Sequence, residues 1–274
     1  MHSSFEELVS RAQQAPTDGW DFSWLAGRAV TEPCPWDYRA ELARRLARAS
    51  AALDLLTGGG EILSAVPALP PVMAATEGWP PNVGLATRRL HARGAVVVVN
   101  DGEQPLPFAD DAFDLVVSRH PSATDWTEIA RVLRPGGTYL SQHVLPTGSV
   151  GLPRFFRGGP LHHPADRQVL EEELNDYLTD AEKAMRAAGL EPVDLQGACL
   201  RGEFADVGAV VYYLRKVVWM VPGFSVDAHR DRLRELHEHI EAHGPATNRL
   251  GRLLIEARKP AGTDDGASRS SARG

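Results

Sequence analysis

Leu53-Asp54-Leu55-Leu56-Thr57-Gly58-Gly59-Gly60-Glu61 decides the fold. Short apolar residues run into a carboxylate, then into three glycines, then into an acidic helix start. That is a strand, a tight turn and a helix N-terminus in nine residues. Glycine lacks a Cβ and tolerates positive φ, so such a turn lets a ligand approach the backbone closely. Dinucleotide-binding turns follow G-x-G-x-x-G and place a pyrophosphate on a helix N-terminus. Here the spacing differs, and the carboxylate of Asp54 suits a cationic or amine-bearing ligand better than a diphosphate.

Outward from this turn the chain alternates short apolar runs with helical periodicity, the mark of βαβ units and a parallel sheet. The pattern predicts seven strands, at 51–56, 72–76, 95–99, 113–118, 138–143, 192–199 and 252–258. Helices are expected near 60–65, 81–93, 125–133 and 164–188, the last carrying Leu170, Leu174, Leu178, Ala181 and Met185 at helical spacing. Two more helices, 206–218 and 225–243, fall between the sixth and seventh strands and form a candidate lid, with Ser225 as the N-cap of the second. Ser3 and Glu6 read as a capping box for a first helix bearing Phe5, Leu8 and Ala12, and Leu42, Leu46 and Ala49 mark another. The expected architecture is a Rossmann-like, mostly parallel α/β sheet with helices on both faces, its last strand antiparallel. Residues 1–50 would be a helical cap segment, 51–260 the main domain with 206–245 inserted, and 261–274 a disordered tail.

With 43% hydrophobic and 24% charged residues, the 274-residue chain has the balance of a globular protein. A net charge of -7 argues against a nucleic-acid partner, which calls for a basic footprint. Cys34 and Cys199 are far apart and form neither a disulfide framework nor a zinc pattern, which fits a reducing cytoplasm. No apolar run is long enough for a membrane span, and the N-terminus has no signal-peptide pattern. A homodimer is compatible with the sequence and not read from it.

The turn resembles motif I of class I S-adenosylmethionine (SAM)-dependent methyltransferases, in which an acidic residue precedes a G-x-G-x-G loop. Leu56 stands where that family has its first glycine. Glu77, in Ala74-Ala75-Thr76-Glu77-Gly78, stands 23 positions after Asp54 at the end of the next strand. Asn100-Asp101-Gly102, Leu106-Pro107-Phe108 and Phe113-Asp114-Leu115-Val116 resemble the type 11 subgroup's D-A-x-x-L-P-F and F-D-x-V signatures, with one extra residue before Leu106. Glu128 to Gly137 resembles its helix-to-strand connector. The resemblance implies that Asp54, Thr57, Gly58 and Gly60 cradle the methionine and ribose of SAM and that Glu77, with Gly78, binds the ribose hydroxyls. It implies that Asp101 takes the adenine amino group, with Asn100 or the Gly102 backbone able to share it.

Methyl transfer needs a general base only for a protonated nucleophile. His120 and His143, at the ends of the fourth and fifth strands, are the candidates, the alternative being that each bonds a loop carbonyl. Arg119 is assigned to a carboxylate of the cofactor or of the acceptor, or to an ion pair. Trp24, Arg28 and Trp36 could close the site or pack on the sheet edge, and Tyr212, Tyr213 and Trp219 could line a pocket or belong to core. His239 and His243 share i, i+4 spacing, but a solvated helix face explains them and His237 better than a metal, as exposure does His162 and His163. The leading expectation is methylation of O, N or C on a small molecule. RNA or protein methylation, a non-catalytic SAM-binding protein and a nicotinamide enzyme are the competing readings.

Overall fold

The computed structural model describes residues 4–261 apart from 18 and 103, and the side chains of 146 and 147 are also outside it. The predicted tail lies outside the described residues except for Ala261. In chain order the elements are α1 (Phe5–Gln14), β1 (Ala29–Thr31), α2 (Tyr38–Leu46), β2 (Ala51–Leu55), α3 (Glu61–Ala65), β3 (Val72–Glu77), α4 (Pro80–His91) and β4 (Val96–Val99). There follow β5 (Phe113–Arg119), α5 (Trp126–Val132), β6 (Leu133–Val150), α6 (Leu152–Phe156), α7 (Asp166–Ala187), β7 (Glu191–Phe204), α8 (Val207–Lys216), α9 (Arg230–His243) and β8 (Ala246–Arg258).

All eight strands form one sheet in the order β1-β7-β8-β6-β5-β2-β3-β4. β2 through β6 pair in parallel, and β8 runs antiparallel to both β6 and β7, as predicted for the last strand. The count of seven is corrected to eight by β1, three residues paired antiparallel with the end of β7. Three residues inside a Gly-, Trp- and Pro-rich stretch carry no alternation to read. The helix α6 was likewise unread, being one turn long.

A parallel sheet is buried on both faces, so its strands show the period-2 split directly. Ala52, Leu115, Val117, Leu140 and Leu254 face α2, α3 and α4, where they meet Leu42, Leu63, Ala86 and Leu90. Leu53, Val116, Tyr139, Leu253 and Ile255 face α5 and α7, against Ile129, Leu170, Leu174 and Met185.

A third core cluster lies apart from the sheet. Phe5, Leu8 and Val9 of α1 pack on Val207, Val210 and Leu214 of α8 and on Leu233, Leu236 and Ile240 of α9. The N-terminal helix and the inserted helices, 200 residues apart, therefore form one cap. Burying Phe5, Leu8 and Val9 is worth roughly 1.5–3 kcal/mol each. The close approach depends on Gly208, where an added Cβ would sit 2.7 Å from the carbonyl oxygen of Leu8. The capping box is one residue later than predicted, from Ser4 and Glu7, and the predicted N-cap Ser3 lies outside the described residues. Ser225 accepts from the Ala228 amide in the turn before α9, while His229 stands at the N-cap.

Candidate active site

The carboxyl ends of β2, β3 and β5 open onto a cavity of about 1590 Å³, the edge where ligands bind in open α/β folds. Its first part is the glycine turn. Leu56, at φ 54, takes the left-handed conformation that a glycine would hold freely, at a cost of roughly 1–2 kcal/mol. Its amide donates to Thr76 Oγ1 at 3.0 Å, and the Thr57 amide donates to the Thr76 carbonyl at 2.8 Å, which holds the turn against β3. Gly58 and Gly60 follow at φ 66 and 77.

Glu77 is buried at the end of β3, and its carboxylate gathers three backbone donors: the amides of Gly58 at 2.7 Å, Trp79 at 2.9 Å and Gly78 at 3.1 Å. It thereby ties the glycine turn to the start of α4. Burial raises its pKa, opposed by those three amides. Gly78 admits no side chain, because a Cβ would collide with Cα and Cβ of Asp101 after β4. The structure thus brings Asp54, Thr57, Gly58, Gly60, Glu77 and Gly78 together. Asp101 is exposed beside Gly78 and does not line the large cavity, while Gly102, half-buried, borders a smaller hollow of about 500 Å³. The Gly102 amide donates to Asn100 Oδ1, and Asn100 Nδ2 bonds the carbonyls of Gln104 and Pro105, which organises this loop from within.

Asp54 is the unusual charge. It is buried, accepts from Thr57 Oγ1 at 2.6 Å, and its pKa is pushed up to about 7 by desolvation, with the nearby Glu77 carboxylate adding to the effect. No basic group acts on it in the structure. A desolvated carboxylate beside a glycine turn fits a cation-bearing ligand, and so fits SAM with its sulfonium and ammonium.

Trp20 covers the turn: its Cδ1 lies 3.0 Å from where a Gly58 Cβ would be. Its ring meets that of Trp219, from the segment after α8, at 5.6 Å. This clasp was not predicted. The expected closing residues lie elsewhere: Trp24 stacks on Tyr212 at 4.6 Å, and Arg28 sits over Trp24 and pairs with Asp206, all within the cap. Tyr213 and Trp219 line the cavity, whereas Tyr212 is core.

The two histidines part company. His120 lines the cavity and, like Leu56, has a left-handed backbone, at φ 57. His143 is buried on the opposite face of β6, with Nδ1 2.8 Å from Tyr177 Oη and Nε2 3.4 Å from Tyr139 Oη; it does not line the cavity. Its place as a base is corrected by strand parity, for it shares a face with Tyr139 rather than with Gln142. Burial alone lowers its pKa to about 4.

A polar chain fixes His120. Trp36 Nε1 donates to Gln142 Oε1 at 2.9 Å, and Gln142 Nε2 lies 3.1 Å from His120 Nε2. An indole nitrogen only donates, so the Gln142 oxygen must face it and the amide nitrogen must face the imidazole. His120 Nε2 is then the acceptor and its proton sits on Nδ1, a tautomer assigned from this network. Burial, with Arg119 and Arg252 nearby, holds the His120 pKa well below its usual value, so the ring is neutral. The sequence reading missed Trp20, Gln142 and Arg252. An arginine at the head of an otherwise apolar strand, Gly251-Arg252-Leu253-Leu254-Ile255, was the available signal for the last.

On the remote helix, His239 and His243 stack at 4.7 Å, with His162 5.5 Å from His239. Among the described residues no group of three or more His, Cys, Asp or Glu side chains could hold a metal ion, and no helix is long and apolar enough to cross a membrane.

Strand order, glycine turn and paired carboxylates define a class I SAM-dependent methyltransferase fold. Residues 53–141 match a family model described as a methyltransferase domain. A curated relative, the phthiotriol/phenolphthiotriol dimycocerosates methyltransferase of Mycobacterium leprae (strain TN), is 26% identical over 151 residues. That match covers 48% of this chain and only 55% of the relative, just over half its length. Two solved structures share the fold. A candidate methyltransferase of Bacillus halodurans C-125 has a TM-score of 0.54 at 20% identity, covering 81% of this chain and 99% of that one. A protein of unknown function from Deinococcus radiodurans R1 has a TM-score of 0.56 at 16% identity, covering 84% and 90%.

Proposed function

We propose that this protein transfers a methyl group from SAM to a small-molecule acceptor enclosed beside it. The observation that carries the reading is one cavity shared by the Asp54–Gly58–Glu77 cradle and by a second wall built from Arg119, His120, Tyr213 and Arg252. Its roughly 1590 Å³ exceeds the ~300–1000 Å³ of a typical single-ligand pocket and leaves room for two molecules.

Bound at the glycine turn, SAM supplies an electrophilic methyl group. Asp54 would lie against its positive charge, Glu77 would accept from the ribose hydroxyls, and the Gly58 region would pass beneath it. Trp20 and Trp219 would shut out water. Catalysis then comes from holding the acceptor in line with the methyl group in a dry site, where proximity is worth several kcal/mol. His120, neutral with Nε2 already accepting from Gln142, is suited to donate a hydrogen bond through Nδ1 and thereby to place the acceptor.

The M. leprae relative's name supports methyl transfer; the acceptor it names is not carried over on a match to half of each chain. The net charge of -7 and the cap over the cavity count against RNA or protein acceptors. The test is calorimetric titration with SAM, S-adenosylhomocysteine and NADH, followed by an acceptor screen with labelled SAM. Saturable binding of the first two, weakened in Glu77→Gln, with label transferred to a small molecule, is the expected result. Binding of NADH alone overturns the reading, and tight SAM binding without turnover on any acceptor favours a non-catalytic SAM-binding protein.

A further inference from the structure

Four arginines line the cavity; Arg89 pairs with Glu61, whereas Arg39, Arg119 and Arg252 form no ion pair among the described residues. The strand register shows how two of them converge. Arg119 pairs with Gln142 across β5 and β6; Val144, two residues further on, pairs with Arg252 on β8. Side chains two apart on a strand, and those paired across strands, share a face. Arg119, Gln142, Val144 and Arg252 therefore share one face, with Leu254 paired beside Gln142 and Arg252 one step further along, beyond the apolar Val117 and Leu140 that pack under α2. Arg39, exposed in the first turn of α2, lines the same cavity and acts electrostatically on Arg119.

Among the described residues no carboxylate pairs with Arg119 or Arg252 or is among the groups acting on them. The titratable neighbours acting on Arg119 are Arg39, Arg252, Tyr38 and Cys34, and those acting on Arg252 are Tyr213 and Cys34. Desolvation lowers the pKa of both, and Arg39 and Arg252 lower that of Arg119 further. Guanidinium groups that stay charged at any ordinary pH, half-buried and without a carboxylate, await an anion. His120, with its acceptor nitrogen taken up by Gln142, adds a further donor to the same wall.

Arg252 also stands away from the cofactor cradle, whereas Arg119, one residue past the Ser118 that pairs with Leu55, adjoins it. Arg252 is on β8, separated from β2 by β5 and β6, so at ~4.8 Å per strand its backbone lies roughly 14 Å from the glycine turn. Resting on the two-molecule reading above, we propose that Arg119 and Arg252, with Arg39 at the mouth, bind a carboxylate or phosphate carried by the methyl acceptor. Arg119, which the sequence left open between cofactor and substrate, is thereby given to the acceptor.

The test uses the full chain saturated with S-adenosylhomocysteine, titrated calorimetrically with benzoate, inorganic phosphate and, as the uncharged analogue of the first, benzyl alcohol. Benzoate or phosphate is expected to bind saturably, the two arms separating a carboxylate acceptor from a phosphate one, and benzyl alcohol far more weakly. Arg119→Met and Arg252→Met, which keep an unbranched apolar stem and remove the guanidinium, should each weaken anion binding roughly tenfold or more, the usual scale for a hydrogen bond to a charged group. Their affinity for S-adenosylhomocysteine should stay within about twofold of the parent, which also shows that they fold. Equal binding of benzyl alcohol and benzoate, no saturable anion binding by the parent, or unchanged anion affinity in both variants overturns the proposal. So does loss of S-adenosylhomocysteine binding with the anion retained, which would give the arginines to the cofactor. A parent that binds benzoate but no S-adenosylhomocysteine refutes the methyltransferase reading and leaves the arginine site standing.

Discussion

Replacing Asp54 by Asn should stabilise the cofactor-free protein, and increasingly so as pH rises. In the fold its pKa moves from 3.8 to about 7, so the folded state holds a proton that the unfolded chain has already released. Below pH 3.8 both states are protonated and the native carboxyl costs nothing. As pH rises the unfolded state is favoured progressively, and the loss levels off once the folded carboxyl ionises near pH 7. At 1.36 kcal/mol per pH unit, the full shift is worth about 4 kcal/mol above pH 7 and about 1.7 kcal/mol at pH 5. Asn keeps the acceptor for Thr57 Oγ1, so the substitution isolates the charge. If even half the full effect is recovered, about 2 kcal/mol, Asp54→Asn should melt roughly 4–8 °C above the parent at pH 8. The gap should narrow at pH 5. Thermal melts of both proteins at the two pH values, without cofactor, measure it directly. A gap that is absent, or that is as large at pH 5 as at pH 8, would refute the assignment of a desolvated, ionised Asp54.

The same carboxylate should make SAM affinity fall by up to about tenfold per pH unit below pH 7, as it protonates, read by calorimetry and absent in Asp54→Asn. Gly78→Ala should cost about 1–3 kcal/mol in urea denaturation, because its Cβ meets the backbone of Asp101, and should weaken SAM binding with it; an innocuous alanine would show that the two strand ends are not in contact. Trp20→Ala should speed dissociation of S-adenosylhomocysteine about 2–10-fold, the share of one aromatic pair, with unchanged dissociation showing that the clasp does not gate the site. Gln142→Leu leaves the Trp36 indole N–H and His120 without their partner and should cost about 1–3 kcal/mol in the same denaturation assay.

The glycine-turn half of the candidate site was legible because it is local. Asp54 through Gly60 lie in one strand–turn–helix, and Glu77 ends the adjacent strand, so spacing alone nearly places them. Leu56 looked like a departure from the family turn, yet it adopts the glycine's backbone at its own conformational cost. The proposed acceptor half is assembled from β5, β6, β8 and the segment before α2; register puts Arg119, Gln142 and Arg252 on one face, and a tertiary hydrogen bond brings Trp36 to Gln142. His143 went astray for a smaller reason. A strand's two faces alternate residue by residue, so the difference between cavity and core was a single position beside Gln142. The union of α1 with α8 and α9 was out of reach, since amphipathic helices announce that they will pack and not on what.

β8 follows every other described element in the chain, yet it lies between β6 and β7 and carries Arg252. During translation, a nascent chain that has emerged through α9 has its glycine turn and both cradle carboxylates, but β6 and β7 cannot yet be joined. A truncated product ending before residue 246 would have the glycine-turn half of the site, a second wall without Arg252, and two unpaired strand edges that invite aggregation or proteolysis.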